Sequence, residues 1–112
     1  MDKCSVQSDT SGDVAVVTAS GTFDSETAPK LDAELSKVAG EKNRIVLDLK
    51  NVEYLSSAGL RTIVKALQAS KKSGGSLKLA CIPQSVEVVL RTVGMLEMLK
   101  SYPSIDEAVT SF

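Results

Sequence analysis

The feature that most constrains the fold is a buried strand between two amphipathic helices. Residues 44–49 (R-I-V-L-D-L) are almost continuously aliphatic or β-branched, which is typical of a strand covered on both faces in a parallel sheet. The segments on either side repeat apolar residues at helical spacing, with charged and polar residues between them. The apolar positions are Ala28, Leu31, Leu35 and Val38 before the strand, and Leu60, Ile63, Val64 and Leu67 after it.

The rest of the chain continues this alternation of strands and helices. Further strands are predicted at residues 4–7, 14–19, 77–82 and 98–102, with loops at 21–24 and 50–56. Ser25 or Thr27 can cap the first helix, which Gly40 ends. A third helix follows Pro83, and a fourth follows Ser104. The third helix is expected to turn Val86, Val89, Leu90 and Val93 inward.

The order of elements predicts an α/β fold. Successive strand–helix–strand units require crossovers of one hand and a largely parallel sheet, while the first two strands are close enough to pair as a hairpin. The 112 residues suffice for one compact domain. We therefore expect a single domain over residues 1–112, with a mixed, mostly parallel sheet of four to five strands and four helices.

Composition argues against several classes of function. The chain has no His, which removes the commonest general base and metal ligand. Cys4 and Cys81 form no metal-binding pair and are expected to be reduced thiols. A net charge of −1 without a basic stripe disfavours nucleic acid as a binding partner. No apolar run is long enough to span a bilayer. We expect a cytoplasmic monomer that is not an enzyme and needs no metal or cofactor.

The candidate site lies at residues 54–60 (Y-L-S-S-A-G-L), after the central strand. In open α/β sheets, ligands and partners collect at the carboxyl ends of the strands. Ser57 is predicted at a helix N-terminus, where free backbone N–H groups and the helix dipole favour a negative charge. Two interpretations are open from the residues alone: Ser56 or Ser57 caps the helix, or Ser57 accepts a phosphate.

Several motifs, taken in order, resemble the STAS family, which is named for sulfate transporters and anti-sigma factor antagonists. The resemblance covers nearly the whole chain. It rests on residues 21–24 (G-T-F-D), 45–49 (I-V-L-D-L), 52–60 (V-E-Y-L-S-S-A-G-L), 74–75 (G-G) and 93–95 (V-G-M).

The resemblance implies that this chain is an anti-sigma factor antagonist. The phosphorylated Ser of the family falls on Ser57, and the preceding family Asp is replaced here by Ser56. Such proteins, when unphosphorylated, bind an anti-sigma factor that is also a GHKL-type serine kinase, and thereby release the sigma factor. A serine phosphatase reverses the modification. The partner-binding residues implied on this basis are Asp24, Ser56, Ser57, Ala58, Gly59 and Arg61.

Two other functions remain open at this point. Standalone STAS domains also dock onto membrane transporter ATPases, so the chain could be a subunit of a transport complex. A small hydrolase using Ser57 is disfavoured, because the chain lacks His and the G-x-S-x-G motif.

Overall fold

One five-stranded mixed sheet organises the chain in a computed structural model that describes residues 4–95 and 97–112. The strands are β1 (Cys4–Ser11), β2 (Val14–Phe23), β3 (Arg44–Leu55), β4 (Ser76–Ala80) and β5 (Ser101–Tyr102). They lie in the order β1-β2-β3-β4-β5. The β1–β2 pair is antiparallel and the other three pairs are parallel. This arrangement confirms the predicted fold class.

Four helices accompany the strands, as predicted: three connect successive strands and the last follows β5. They are α1 (Ala28–Glu41), α2 (Ser57–Lys72), α3 (Gln84–Thr92) and α4 (Ile105–Thr110). Ser104 accepts a hydrogen bond from the N–H of Glu107 at 3.1 Å and so caps α4. Thr27 holds the N-cap position of α1 but makes no capping bond. Gly40 does not end α1, which continues to Glu41, and lies inside the helix with open space around it.

Hydrophobic side chains pack on both faces of the sheet. The larger cluster joins alternate residues of the strands to the buried sides of α1, α2 and α3, and it includes the fully buried Leu31, Leu47 and Leu67. The smaller cluster lies where α4 covers the sheet, around Val46 and Ala108. Because β3 is covered on both faces, its continuous apolar sequence is explained.

The structure corrects the two predicted loops that flank the candidate site. Residues 21–23 belong to β2 and residues 50–55 belong to β3, so both strands run further than their hydrophobic cores. The register skips from Thr18–Asp48 to Ser20–Asn51, and again from Gly21–Val52 to Thr22–Tyr54. Each skip is a β-bulge, in which one strand carries an extra residue.

Specific residues accommodate the two bulges. Asp48 is 7% exposed, and its carboxylate accepts a hydrogen bond from the N–H of Lys50 at 3.0 Å. Gly21 has a φ of 92° beside the second bulge, a backbone conformation that glycine adopts without a steric penalty. The segments predicted as loops therefore stay paired in the sheet across both bulges.

Smaller departures from prediction remain, most of them at the ends of elements. Val93 is 53% exposed because α3 ends at Thr92, which takes Val93 off the helical periodicity. Val64 is only partly buried. The last strand is limited to Ser101–Tyr102, whereas β1 extends to Ser11 instead of stopping at residue 7.

Candidate functional site

The paired ends of β2 and β3, with both extra residues carried by β3, bring the β2–α1 and β3–α2 connections together at the carboxyl edge of the sheet. Phe23 and Leu55 are register partners at the ends of their strands, and both are buried. The backbone N–H of Ser56 donates a hydrogen bond to the carbonyl oxygen of Phe23 at 2.8 Å. This bond joins the two residues that immediately precede Asp24 and Ser57, and so brings the two connections together.

Ser56 is the residue that caps α2. Its backbone is extended, and its hydroxyl oxygen accepts a hydrogen bond from the N–H of Gly59 at 3.3 Å. Its carbonyl oxygen accepts the first intrahelical bond, from the N–H of Leu60 at 2.9 Å. The side chain is half-buried. Of the two serines that the sequence left open as caps, the structure assigns that role to Ser56.

Ser57 occupies the first position inside α2 and is exposed. Within residues 4–95 and 97–112, no hydrogen bond engages its hydroxyl group. The first turn of α2 contains no acidic residue, so the positive end of this 16-residue helix is not neutralised by its own side chains. The Ser57 hydroxyl is thus accessible and lies in a field that favours a negative charge.

Gly59 allows the close approach of α2 to the strand ends. A Cβ atom at this position would lie 2.7 Å from Leu55 Cδ1 and 3.2 Å from Phe23 Cβ, which is closer than carbon atoms pack. Gly59 is buried, whereas the neighbouring Ala58 is partly exposed. Gly59 is therefore not itself accessible to a partner, and it can affect partner binding only by setting the positions of Ser56 and Ser57.

Asp24 is held rigidly by the turn that precedes α1. Its carboxylate accepts hydrogen bonds from the N–H groups of Glu26 at 2.9 Å and Thr27 at 3.1 Å. The Thr27 hydroxyl accepts a bond from the N–H of Asp24 at 2.9 Å, and it also lies 2.9 Å from the carbonyl oxygen of Thr22, to which it can donate. Such a turn fixes the loop beside the serines.

Arg61 and Tyr54 complete this surface. Arg61 is exposed, one helical turn beyond Ser57, and has neither an ion pair nor a hydrogen bond with any residue the structure describes. The next cation on α2, Lys65, forms an ion pair with Asp32 of α1 at 3.3 Å. Tyr54 is 53% exposed. Tyr54 is not among the partner-binding residues predicted from the sequence, although exposed aromatic residues are enriched at protein interfaces.

The six residues predicted as the site are thus brought together. We call the group formed by Asp24, Tyr54, Ser56, Ser57, Ala58 and Arg61, with Gly59 beneath it, the Ser57 surface.

The third connection at this edge of the sheet follows β4. Cys81 has a φ of 57°, in the left-handed region that residues other than glycine rarely adopt. Burial and the nearby Asp48 carboxylate raise the pKa of the Cys81 thiol. The side chain lies 3.5 Å from the carbonyl oxygen of Pro103. This thiol is consequently protonated at neutral pH and poorly nucleophilic.

Two features are absent from the described residues. They contain no group of three or more His, Cys, Asp or Glu side chains arranged to hold a metal ion. Among them there is also no helix with the length and apolar character needed to cross a membrane.

Comparison with known proteins identifies the family. The model of the STAS domain matches residues 5–108. BtrV of Bordetella bronchiseptica, a candidate anti-sigma factor antagonist, is 32% identical over 93 residues, which are 82% of this chain and 80% of BtrV. The anti-sigma-B factor antagonist of Bacillus subtilis is 30% identical over 83 residues, covering 74% of this chain and 76% of that protein.

A solved structure agrees with the fold. The crystal structure of an anti-sigma factor antagonist from Mycobacterium paratuberculosis superimposes with a TM-score of 0.88 at 26% identity. The match covers 96% of this chain and 92% of the other. These relatives are named as regulatory proteins. With a family match over nearly its full length and the same arrangement of strands and helices, the chain belongs to the STAS domain family.

Proposed function

We propose that this protein is an anti-sigma factor antagonist that is switched by phosphorylation of Ser57. In the unmodified state, the Ser57 surface binds an anti-sigma factor that is also a GHKL-type serine kinase, and the sigma factor is released. Phosphorylation of Ser57 ends that binding, and a serine phosphatase restores it. The protein acts in the cytoplasm as a docking partner and phosphate acceptor, without a cofactor of its own.

The observation that carries the proposal is the division of roles between the two serines. Ser56 is half-buried and caps α2, whereas Ser57 is exposed and its hydroxyl makes no hydrogen bond with the residues that the structure describes. A kinase can therefore modify Ser57 without removing the cap. Ala58, which is small, and Gly59, which has no side chain, leave space for a partner's active site to approach the hydroxyl.

The chemistry of transfer requires only an acceptor from this chain. The Ser57 hydroxyl oxygen forms a bond to the γ-phosphorus of ATP while the bond to ADP breaks, and the hydroxyl proton passes to a base of the kinase. The kinase supplies ATP and Mg²⁺. Nothing in this step needs a catalytic residue from the antagonist.

The product state differs from the unmodified state mainly in charge. A phosphoserine carries about −1.5 to −2 charge at neutral pH. It is tolerated by the fold because it lies at the N-terminus of α2, where the helix dipole is positive. At an interface beside the phosphates of a bound nucleotide, the same charge costs several kcal/mol, and each 1.4 kcal/mol lowers affinity about tenfold.

The proposal is tested by mapping the modification. The protein is incubated with the anti-sigma factor kinase of its own cell and Mg-ATP, and intact mass is followed by fragmentation. We expect one added phosphate, located on Ser57, in the parent and in Ser56→Ala. Ser57→Ala should gain none. A phosphate on Ser56 would overturn the assignment of the acceptor.

Capture of binding partners distinguishes the proposed regulatory role from a role as a subunit of a transport complex. Capture of partners from native lysate with Ser57→Ala, which cannot be phosphorylated there, should enrich a GHKL-type kinase. Enrichment of a transport ATPase in this capture, together with no phosphate on Ser57 of the parent in the mapping experiment, would contradict the proposed regulatory role.

A further inference from the structure

Arg61 lies where it can bind a phosphate on Ser57 from the same helix. The two residues are four positions apart on α2, so their Cβ atoms are about 5–6 Å apart on one face of the helix. Side chains on a helix lean toward its N-terminus, which carries the guanidinium of Arg61 back toward Ser57.

The Arg61 guanidinium is available for this contact. It is exposed and has no ion-pair or hydrogen-bond partner among residues 4–95 and 97–112. Lys65, one turn further along α2, is already paired with Asp32. Arg61 is consequently the first unpaired cation that a phosphate at the start of α2 would meet on its own helix.

The order of the two groups along the helix also favours the pair. An acidic group four residues before a basic one is the stabilising arrangement on a helix, because each charge then opposes the nearer end of the helix dipole. A guanidinium can donate two parallel N–H bonds to phosphate oxygens, which is stronger than a single ammonium contact.

We propose that phosphorylation recruits Arg61 into a pair with phosphoserine 57 within the same chain, an inference that rests on the proposed function of Ser57. In the unmodified protein, Arg61 is free to donate to an acidic group of the anti-sigma factor. In the phosphorylated protein, it is bound to the phosphate. Phosphorylation then acts twice on the Ser57 surface, since it adds negative charge and withdraws a cationic contact.

The test measures the phosphate directly and needs no kinase. Phosphoserine is installed at position 57 during synthesis, and the second pKa of its phosphate is measured by ³¹P NMR as a function of pH. The parent is compared with Arg61→Gln, Arg61→Lys and Lys72→Gln. Lys72 is an exposed cation on the same helix, about 22 Å from Ser57 along its axis, so Lys72→Gln is a matched change in charge.

The pair lowers the phosphate pKa below its usual value near 6, because Arg61 stabilises the dianion more than the monoanion. The usual strength of an ion pair between residues four apart on a helix corresponds to a phosphate pKa that is about 0.2–0.4 unit higher in Arg61→Gln than in the parent. Arg61→Lys keeps the charge but loses the bidentate contact, so its phosphate pKa should lie between those of the parent and Arg61→Gln, and Lys72→Gln should not shift the pKa. All of the substituted side chains are exposed, so the variants are expected to fold, and circular dichroism checks this.

Equal phosphate pKa values in the parent, Arg61→Gln and Lys72→Gln would overturn the inference. That result would leave the proposed function intact if the kinase still modifies Ser57. Conversely, a shift confined to Arg61→Gln in a protein that no kinase modifies at Ser57 would keep the pair and refute the function.

Discussion

Removing the hydroxyl of Ser56 should destabilise the protein, whereas removing that of Ser57 should not. Ser56→Ala deletes the bond from the Gly59 N–H to the Ser56 hydroxyl oxygen. Loss of an N-cap costs about 0.5–2 kcal/mol. Because the bond is 3.3 Å long, we expect the lower half of that range, about 0.5–1 kcal/mol.

Ser57→Ala removes no hydrogen bond within the described residues. It also places the best helix former at an exposed first position of α2, so the free energy of unfolding should stay within about 0.5 kcal/mol of the parent or rise slightly. Ser56→Asp should match the parent, since Asp is an equally good N-cap residue.

The assay is urea unfolding followed by circular dichroism. With an m-value of about 1.5 kcal/mol/M, the midpoint of Ser56→Ala should fall by about 0.3–0.7 M while the slope is unchanged. Ser104→Ala is a matched control, because it removes an analogous cap at 3.1 Å from α4. A loss in Ser57→Ala as large as that in Ser56→Ala would refute the assignment of the cap.

Three further perturbations test the packing and chemistry around the site. Leu67→Ala should lower the free energy of unfolding by about 2–5 kcal/mol, because Leu67 is 1% exposed in the larger hydrophobic cluster; an unchanged urea midpoint would contradict this. Gly59→Ala should cost about 1–3 kcal/mol through overpacking against Leu55 and Phe23, whereas Gly40→Ala, with open space at its Cβ position, should gain up to about 1 kcal/mol by the same assay. In a Cys4→Ser background, the rate at which iodoacetamide alkylates Cys81 should keep rising with pH above pH 9, because burial and Asp48 raise the pKa of the thiol. A rate that levels off at lower pH would show a thiol whose pKa is normal or lowered.

The elements whose hydrophobic residues repeat at a regular spacing could be predicted from the sequence. The strand extensions that lack such a repeat could not. The buried faces of α1 and α2 and the core of β3 follow directly from their apolar spacing. Residues 21–23 of β2 and residues 50–55 of β3 are predicted as loops, because they lie beyond the hydrophobic runs of their strands. Backbone pairing across two bulges, which leaves no hydrophobic period, holds them in the sheet.

The same limit applies to the site. The motif located Ser57 at the start of α2, but only the geometry separates the capping role of Ser56 from the free hydroxyl of Ser57. The sequence placed Arg61 on an exposed helix face. That it has no ion pair with any described residue, while Lys65 has one, depends on the position of Asp32 on the neighbouring helix.

In the proposed switch, the charge state of Ser57 decides whether the partner binds. Titration calorimetry measures the affinity of the anti-sigma factor kinase for the unmodified protein and for the protein carrying phosphoserine at position 57. Phosphorylation should weaken binding by at least about tenfold, which corresponds to about 1.4 kcal/mol, while Ser57→Ala should bind like the unmodified parent. Equal affinities of the unmodified and phosphorylated proteins would contradict the switch.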